Sequence, residues 1–168
     1  LLGIGEIFGF SHGELYYLAQ RLGNSPKPDD WKNVFLSHVN YLEQEASNSG
    51  LSEQTKAQYY LSQTYSLRSA IQFTDPFSEE YLPTVRQMEK VFSSAIHSLG
   101  APIEKLTIPY QGSYLPGYYL HSDDNCPTII MIGGGDTYRE DLFYFAGYPG
   151  WIRNYNVLMV DLPGQGSN

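Results

Sequence analysis

The chain has 168 residues, 42% of them hydrophobic, and its 18 acidic and 10 basic residues give a net charge of −8. This charge argues against a nucleic-acid partner, which needs clustered Lys and Arg. No apolar run approaches the roughly 20 residues of a membrane span, and the single cysteine, Cys126, excludes an internal disulfide framework. The composition therefore predicts a globular cytoplasmic protein that does not bind membranes.

The first motif along the chain lies between Gly9 and Gly13 and reads G-x-S-x-G. On one interpretation Ser11 is the nucleophile of a strand–turn–helix elbow. On the other, Ser11 and Glu14 form a capping box, with Phe10 and Leu15 as the flanking hydrophobic staple. The second interpretation accounts for more of the residues. The sequence therefore predicts that Ser11 caps a helix.

Residues 11–99 carry apolar side chains at spacings of three and four, which predicts four or five helices. Residues 1–10 give no clear pattern. Asp29 or Asp30 is the predicted cap of the second helix, and Ser52 begins the third. The predicted later boundaries, in chain order, are Asp75-Pro76, Pro83 and Gly100-Ala101-Pro102.

The pattern changes from residue 103 onward. Residues 104–121 alternate around a turn and predict an antiparallel hairpin. Thr128–Ile132 and Val157–Asp161 are continuous apolar runs, as in the buried strands of a parallel sheet. Tyr138–Asn154 lies between them, is long enough for a crossover helix, and completes a predicted βαβ unit.

Candidate functional residues follow these two buried strands, where the loops at the carboxyl edge of a sheet carry chemistry. Gly133–Gly135 comes directly after the first strand, either as a tight turn or as a site for a developing anion. We expect Asp136 to cap the following helix in preference to a catalytic role. Asp161 is expected to anchor the Pro163–Gly166 turn by hydrogen bonds.

The ordered set of hairpin, glycine loop, helix, strand and Asp-x-Pro-Gly-x-Gly turn resembles the front part of an α/β-hydrolase, most specifically over residues 104–166. It is similar to the hydrolases that carry a helical segment before the catalytic domain. These include 2,6-dihydroxypseudooxynicotine hydrolase, fermentation-respiration-switch-type esterases and acylaminoacyl-peptidase-like proteins. The resemblance implies an α/β fold with a helical lid or cap module in residues 1–102. Residues 103–168 would be the first strands of a truncated α/β-hydrolase sheet.

The same resemblance implies a serine hydrolase acting on an ester, an amide or peptide, or an activated carbon–carbon bond. Gly135 would donate its N–H to the oxyanion, Gly134 would shape the loop, and Gly133 stands where many relatives have His. The Ser, Asp and His of the triad are expected further along than residue 168. The expected substrate is a small-molecule or short-peptide acyl compound, with no cofactor or metal.

Two other functions stay open. The Gly164-Gln165-Gly166 turn could begin the G-x-G-x-x-G fingerprint of a dinucleotide-binding domain, although Pro163 and Asp161 interrupt such a turn. The helical residues could instead form a non-catalytic interaction module. The sequence also leaves a homodimer open, and none of the four histidines has a partner at a telling spacing.

Overall fold

The computed structural model describes residues 2–168, with side chains from residue 5 onward. It forms two compact units, one ending at Gly100 and the other beginning at Ala101. The boundary predicted from the sequence, between residues 102 and 103, lies two residues further along. Within residues 2–168, no helix combines the length and the apolar character that crossing a membrane requires.

The first unit consists of helices. Their bounds are α1 Leu2–Ile7, α2 His12–Leu22, α3 Pro28–Ala46, α4 Glu53–Ala70 and α5 Tyr81–Leu99. Four of them follow the predicted pattern, and α1 lies in the stretch that gave no clear pattern. Gly100 ends α5 in the left-handed conformation, with φ of 62°, as the predicted stop requires.

Helix α4 is the centre of this unit, packed between α3 and α5. All seven residues from Leu61 to Leu67 are buried, although several are polar. The hydroxyl groups of Thr64 and Ser66 donate to carbonyl oxygens four residues earlier in the same helix, both at 2.8 Å. Because the helix itself satisfies these groups, burying them costs little.

The capping prediction for Ser11 is confirmed. Ser11 precedes α2 and its Oγ accepts from the Glu14 N–H at 3.2 Å, while Glu14 accepts from the Ser11 N–H at 2.8 Å. The preceding element is a helix rather than a strand. The G-x-S-x-G match is therefore not the strand–turn–helix elbow of a nucleophile.

The start of α3 differs from the prediction. The helix begins at Pro28, and Lys27 occupies the cap position that the sequence suggested for Asp29 or Asp30. Asp30 instead accepts from the Lys27 backbone N–H at 3.0 Å. Proline suits the first position of a helix, since its ring fixes φ and its missing N–H would have no partner there. The helix therefore starts two residues before Asp30.

The second unit is built on a four-stranded sheet in the order β1-β2-β4-β3. The strands are β1 Ile103–Tyr110, β2 Ser113–Leu120, β3 Thr128–Ile132 and β4 Asn156–Val160. β1 and β2 pair in antiparallel register, and β3 runs parallel to β4. The predicted hairpin and parallel pair are confirmed, with β4 beginning one residue earlier than expected. The hairpin and the parallel pair together confirm the predicted α/β architecture.

The connection between β3 and β4 contains less helix than predicted. A π-helix, Phe143–Gly147, leads into a short helix α6, Tyr148–Trp151. The predicted helix was to begin at Tyr138, but residues 138–142 form tight turns instead. Phe145, an apolar residue of this segment, is 48% exposed. The physical reason for the late start of the helix lies in the charged side chains described below.

The cap at Ser11 gives a testable prediction. Ser11→Ala removes the acceptor of the Glu14 N–H and should lower the free energy of unfolding by about 1 kcal/mol. Chemical denaturation of the intact protein measures this loss. Ser25→Ala, in the exposed connector after α2, is the control and should leave stability unchanged. Labelling of Ser11 by a fluorophosphonate probe would overturn its assignment as a cap.

Candidate active site

The loops that follow β3 and β4 lie side by side, because the two strands are parallel neighbours. Gln165 joins them. Its amide Nε2 donates to the carbonyl oxygen of Gly134 at 2.6 Å and to that of Gly133 at 3.2 Å. Its Oε1 accepts from the Leu162 N–H at 2.8 Å. One side chain therefore fixes both the glycine loop and the turn after β4.

The three glycines of the loop differ in their surroundings. The Gly134 N–H donates to Thr137 Oγ1 at 3.2 Å. A Cβ at Gly133 would lie 2.5 Å from the Thr137 Cβ, so this position requires glycine. At Gly135 a Cβ would meet nothing within 4 Å. No acceptor for the Gly135 N–H occurs among residues 2–168. Gly135 thus combines an available donor with open space.

A buried ion pair lies next to the glycine loop. Arg139 donates to the carboxylate of Asp161 twice, from its backbone N–H at 2.7 Å and from its guanidinium Nη1 at 2.9 Å. Arg139 is 6% exposed and Asp161 1%. A charge-assisted pair of this kind is strong because the interior screens it poorly. It holds the segment after the loop against the end of β4.

Glu140 and Tyr118 complete this buried cluster. The Tyr118 hydroxyl donates to Glu140 Oε1 at 2.7 Å, and the Arg139 guanidinium lies 4.8 Å from the centre of the Tyr118 ring. Burial raises the pKa of Glu140 to about 7, with Arg139 opposing and Asp161 adding to the shift. Burial also raises the pKa of Tyr118 well above its usual value. Arg139 Nε lies 3.3 Å from Glu140 Oε1, so one guanidinium faces two buried carboxylates.

These contacts explain why the helix starts late. The Tyr138 N–H donates to the side chain of Asp141 at 3.1 Å, while Arg139 is drawn to Asp161. The N–H groups of residues 141–143 then bond three residues back rather than four. Asp136 lies in a turn well before the π-helix, which has no side-chain cap. The prediction that Asp136 caps the helix is therefore wrong.

Asp161 has a partner that the sequence did not indicate. It was expected to hold the Pro163–Gly166 turn, and its carboxylate does lie against that turn, since a Cβ at Gly166 would collide with it. Its bonds at 2.7 and 2.9 Å run to Arg139. Gln165 also holds the turn, by joining it to the glycine loop.

Three of the four histidines lie beside carboxylates. His12 contacts Glu6 and His121 contacts Asp124, each at 3.0 Å on the surface. His38 is buried beside Glu14. Cys126 is a half-buried free thiol. Among the described residues, no group of three or more His, Cys, Asp and Glu could hold a metal ion.

Sequence reasoning missed four residues that shape this site: Tyr118, Arg139, Glu140 and Gln165. One signal was available, because Arg139-Glu140-Asp141 is a run of three charges inside an otherwise apolar segment. Charges placed between two buried strands need partners. No comparable signal marks Gln165, whose role depends on the distance between two loops.

The chain is similar in sequence to proteins that are named hydrolases. No family model matches the chain. Hydrolase ffsE of Aspergillus flavipes is 32% identical over 98 residues, which is 51% of this chain and 22% of that protein. Hydrolyase ccsE of Aspergillus clavatus is 25% identical and hydrolase LUC6 of a Fusarium species 26% identical, each over 99% of this chain and 42% of the relative. The chain thus spans less than half the length of these relatives.

Solved structures show the same relationship in the fold. The crystal structure of 2,6-dihydroxy-pseudo-oxynicotine hydrolase superposes with a TM-score of 0.77 at 20% identity, covering 99% of this chain and 46% of that one. AbyA5 superposes with a TM-score of 0.68 at 18% identity, covering 94% and 42%. The fold is that of an α/β-hydrolase. The resemblance predicted from the sequence is confirmed over most of the chain.

Glu140 gives a prediction about pH. A carboxyl with a higher pKa in the folded state binds its proton more tightly there, so stability falls as pH rises from 4.5 towards about 7. Glu140→Gln cannot ionise and should remove this fall. Above neutrality the variant should be more stable than the parent, by on the order of 3 kcal/mol.

Denaturation of both proteins across the same pH range measures the effect. Near pH 4.5 the two should have similar stability, because Glu140 is then protonated in the parent. A variant that is destabilised equally at every pH would show that Arg139 needs an ionised Glu140.

Gln165 gives a second prediction. Gln165→Ala removes the acceptor of the Leu162 N–H and the donor to the glycine loop. The free energy of unfolding should fall by about 1–2 kcal/mol, and the Leu162 amide should exchange with solvent faster. Hydrogen exchange followed by mass spectrometry measures both effects. Gln58→Ala, on the exposed side of α4, is the control. Unchanged exchange at Leu162 would show that the bridge does not hold the turn.

Proposed function

We propose that the intact protein is a serine hydrolase that cleaves an ester, an amide or an activated carbon–carbon bond. The observation that carries this proposal is the Gly135 N–H, which has no acceptor among the described residues and stands at the carboxyl end of β3. The relationship to proteins named hydrolases supports it. The substrate would be a small-molecule or short-peptide acyl compound.

In this mechanism a nucleophile attacks the carbonyl carbon, and the carbonyl oxygen becomes negatively charged. The Gly135 N–H donates to that oxygen. A donor already fixed in place stabilises the transition state without reorganising at the moment of reaction. Two side chains fix the loop before substrate arrives: Thr137 accepts from the Gly134 N–H, and Gln165 donates to the carbonyl oxygens of Gly133 and Gly134.

The rest of the mechanism is assigned to residues outside these 168. In α/β-hydrolases the second oxyanion donor is the N–H of the residue after the nucleophile. Ser11 is occupied as a helix cap, so we assign the Ser, the Asp and the His of the triad to other parts of the protein. The helical unit would act as the lid that selects the substrate.

The two alternative functions make different predictions. A dinucleotide-binding domain would bind a nicotinamide or flavin dinucleotide at the turn after β4. That turn is already engaged by Gln165, and Asp161 is paired with Arg139. A non-catalytic interaction module would neither cleave esters nor react with a fluorophosphonate. Ester turnover together with covalent labelling of one serine other than Ser11 would support the hydrolase over both.

Gly135 gives the prediction that tests this proposal. Gly135→Val places a side chain in the open space where the acyl group would lie. We expect kcat to fall by roughly a hundredfold or more, the scale of losing one oxyanion donor. Folding should be retained, because a Cβ at Gly135 meets nothing within 4 Å. Ester turnover and the unfolding midpoint are measured on the same preparation.

Gly50→Val, in the exposed loop after α3, is the matched control and should leave turnover unchanged. A folded Gly135→Val protein with normal turnover would remove the glycine loop from the mechanism.

A further inference from the structure

A cleft of about 430 Å³ lies between helices α2 and α3 of the helical unit. It is lined by Gly13, Glu14 and Tyr17 from α2 and by His38 and Tyr41 from α3. The two tyrosines are 50% and 52% exposed, so the cleft is open to solvent. It combines one carboxylate, one imidazole and two aromatic rings. The proposed reaction uses none of them, and only Glu14 has a role in the fold, in the capping box of α2.

The cleft is electronegative. Burial alone would raise the pKa of Glu14, but contacts with His38, Ser11 and Ser62 outweigh it and lower the pKa to about 2. Glu14 is therefore ionised at neutral pH. The pKa of the Tyr41 hydroxyl is raised, mainly by Glu45 and to a smaller extent by Glu14. Negative charge at this position favours a cation and disfavours an anion.

His38 has unused hydrogen-bonding capacity. Its side chain is 3% exposed, and neither ring nitrogen has a hydrogen-bond partner among the described residues. The contact between Nε2 and Glu14 Oε1, at 3.5 Å, is at the outer limit of a hydrogen bond. An unsatisfied buried polar group is costly. A ligand that donates a hydrogen bond to the imidazole would remove this cost.

The rings around His38 suit a positively charged group. The Tyr41 ring stacks on the imidazole at 6.0 Å, and the Tyr17 ring lies 6.3 Å from it. Aromatic faces attract cations. The Tyr17 ring already makes one such cation–π contact within the chain, because the guanidinium of Arg21 lies 5.7 Å from its ring centre. Arg21 is not among the residues that line the cleft.

We propose that this cleft binds the ammonium group of a small organic amine. Glu14 is the counter-ion, and His38 accepts one of the ammonium hydrogens. The rings of Tyr17 and Tyr41 contact the charged group and the carbon atoms beside it. A bare metal ion fits less well, because the cleft offers only one carboxylate and one imidazole.

The test compares phenethylamine with phenethyl alcohol, which has nearly the same shape and no charge. Binding of each to the intact protein is measured by isothermal titration calorimetry. We expect the amine to bind at least about tenfold more tightly. Glu14→Gln should remove this difference. Because Glu14 also belongs to a capping box, the fold of that variant is checked by circular dichroism.

Tyr17→Leu keeps the capping box and should weaken amine binding roughly two- to fivefold. Tyr16→Leu is the matched control, since Tyr16 is the neighbouring exposed tyrosine of α2 and does not line the cleft. It should bind the amine as the parent does. Equal binding of amine and alcohol, or equal effects of the two tyrosine variants, would overturn the proposal. Because the readout is binding, the result does not depend on hydrolytic activity.

Discussion

The ion pair between Arg139 and Asp161 is the interaction on which the second unit depends. It joins the segment after the glycine loop to the end of β4, and both partners are almost completely buried. Breaking a buried pair by removing one partner is costly, because the other charge is left without compensation. The pair therefore constrains where the chain runs after β3. The late start of the helix and the placement of Glu140 beside Tyr118 follow from it, while Thr137 and Gln165 hold the glycine loop itself.

The features that the sequence predicted correctly are local ones. Ser11 and Glu14 are three residues apart, and a capping box needs nothing beyond that spacing. The hairpin and the two parallel strands follow from hydrophobic patterns within short windows. The order of the glycine loop and the Pro-Gly-x-Gly turn can likewise be taken directly from the sequence. The ordered set of these elements carries the resemblance to an α/β-hydrolase, and the solved structures confirm the fold.

The features that the sequence did not predict depend on contacts between residues that are far apart in the sequence. Arg139 finds its partner 22 residues away, and Gln165 bonds to a carbonyl oxygen 31 residues away. Composition and periodicity carry no information about such pairs. The predicted helix at Tyr138 took no account of the run Arg139–Asp141, whose charged side chains the fold buries, so the predicted start was too early. In the same way, the sequence did not indicate that His38 would lie beside Glu14.

The π-helix has a consequence for how chain length can vary in this segment. The Tyr148 N–H donates to the carbonyl oxygen of Phe143, five residues back, so this turn contains one residue more than an α-helical turn. Deleting that residue would restore α-helical bonding and rotate one end of the segment by about 100° relative to the other. Both ends are fixed: Gly147 packs so closely on Met159 that a Cβ would lie 2.8 Å from its sulfur, and Arg139 is paired in the interior. The stretch from Arg139 to Gly147 is therefore expected to tolerate neither an insertion nor a deletion.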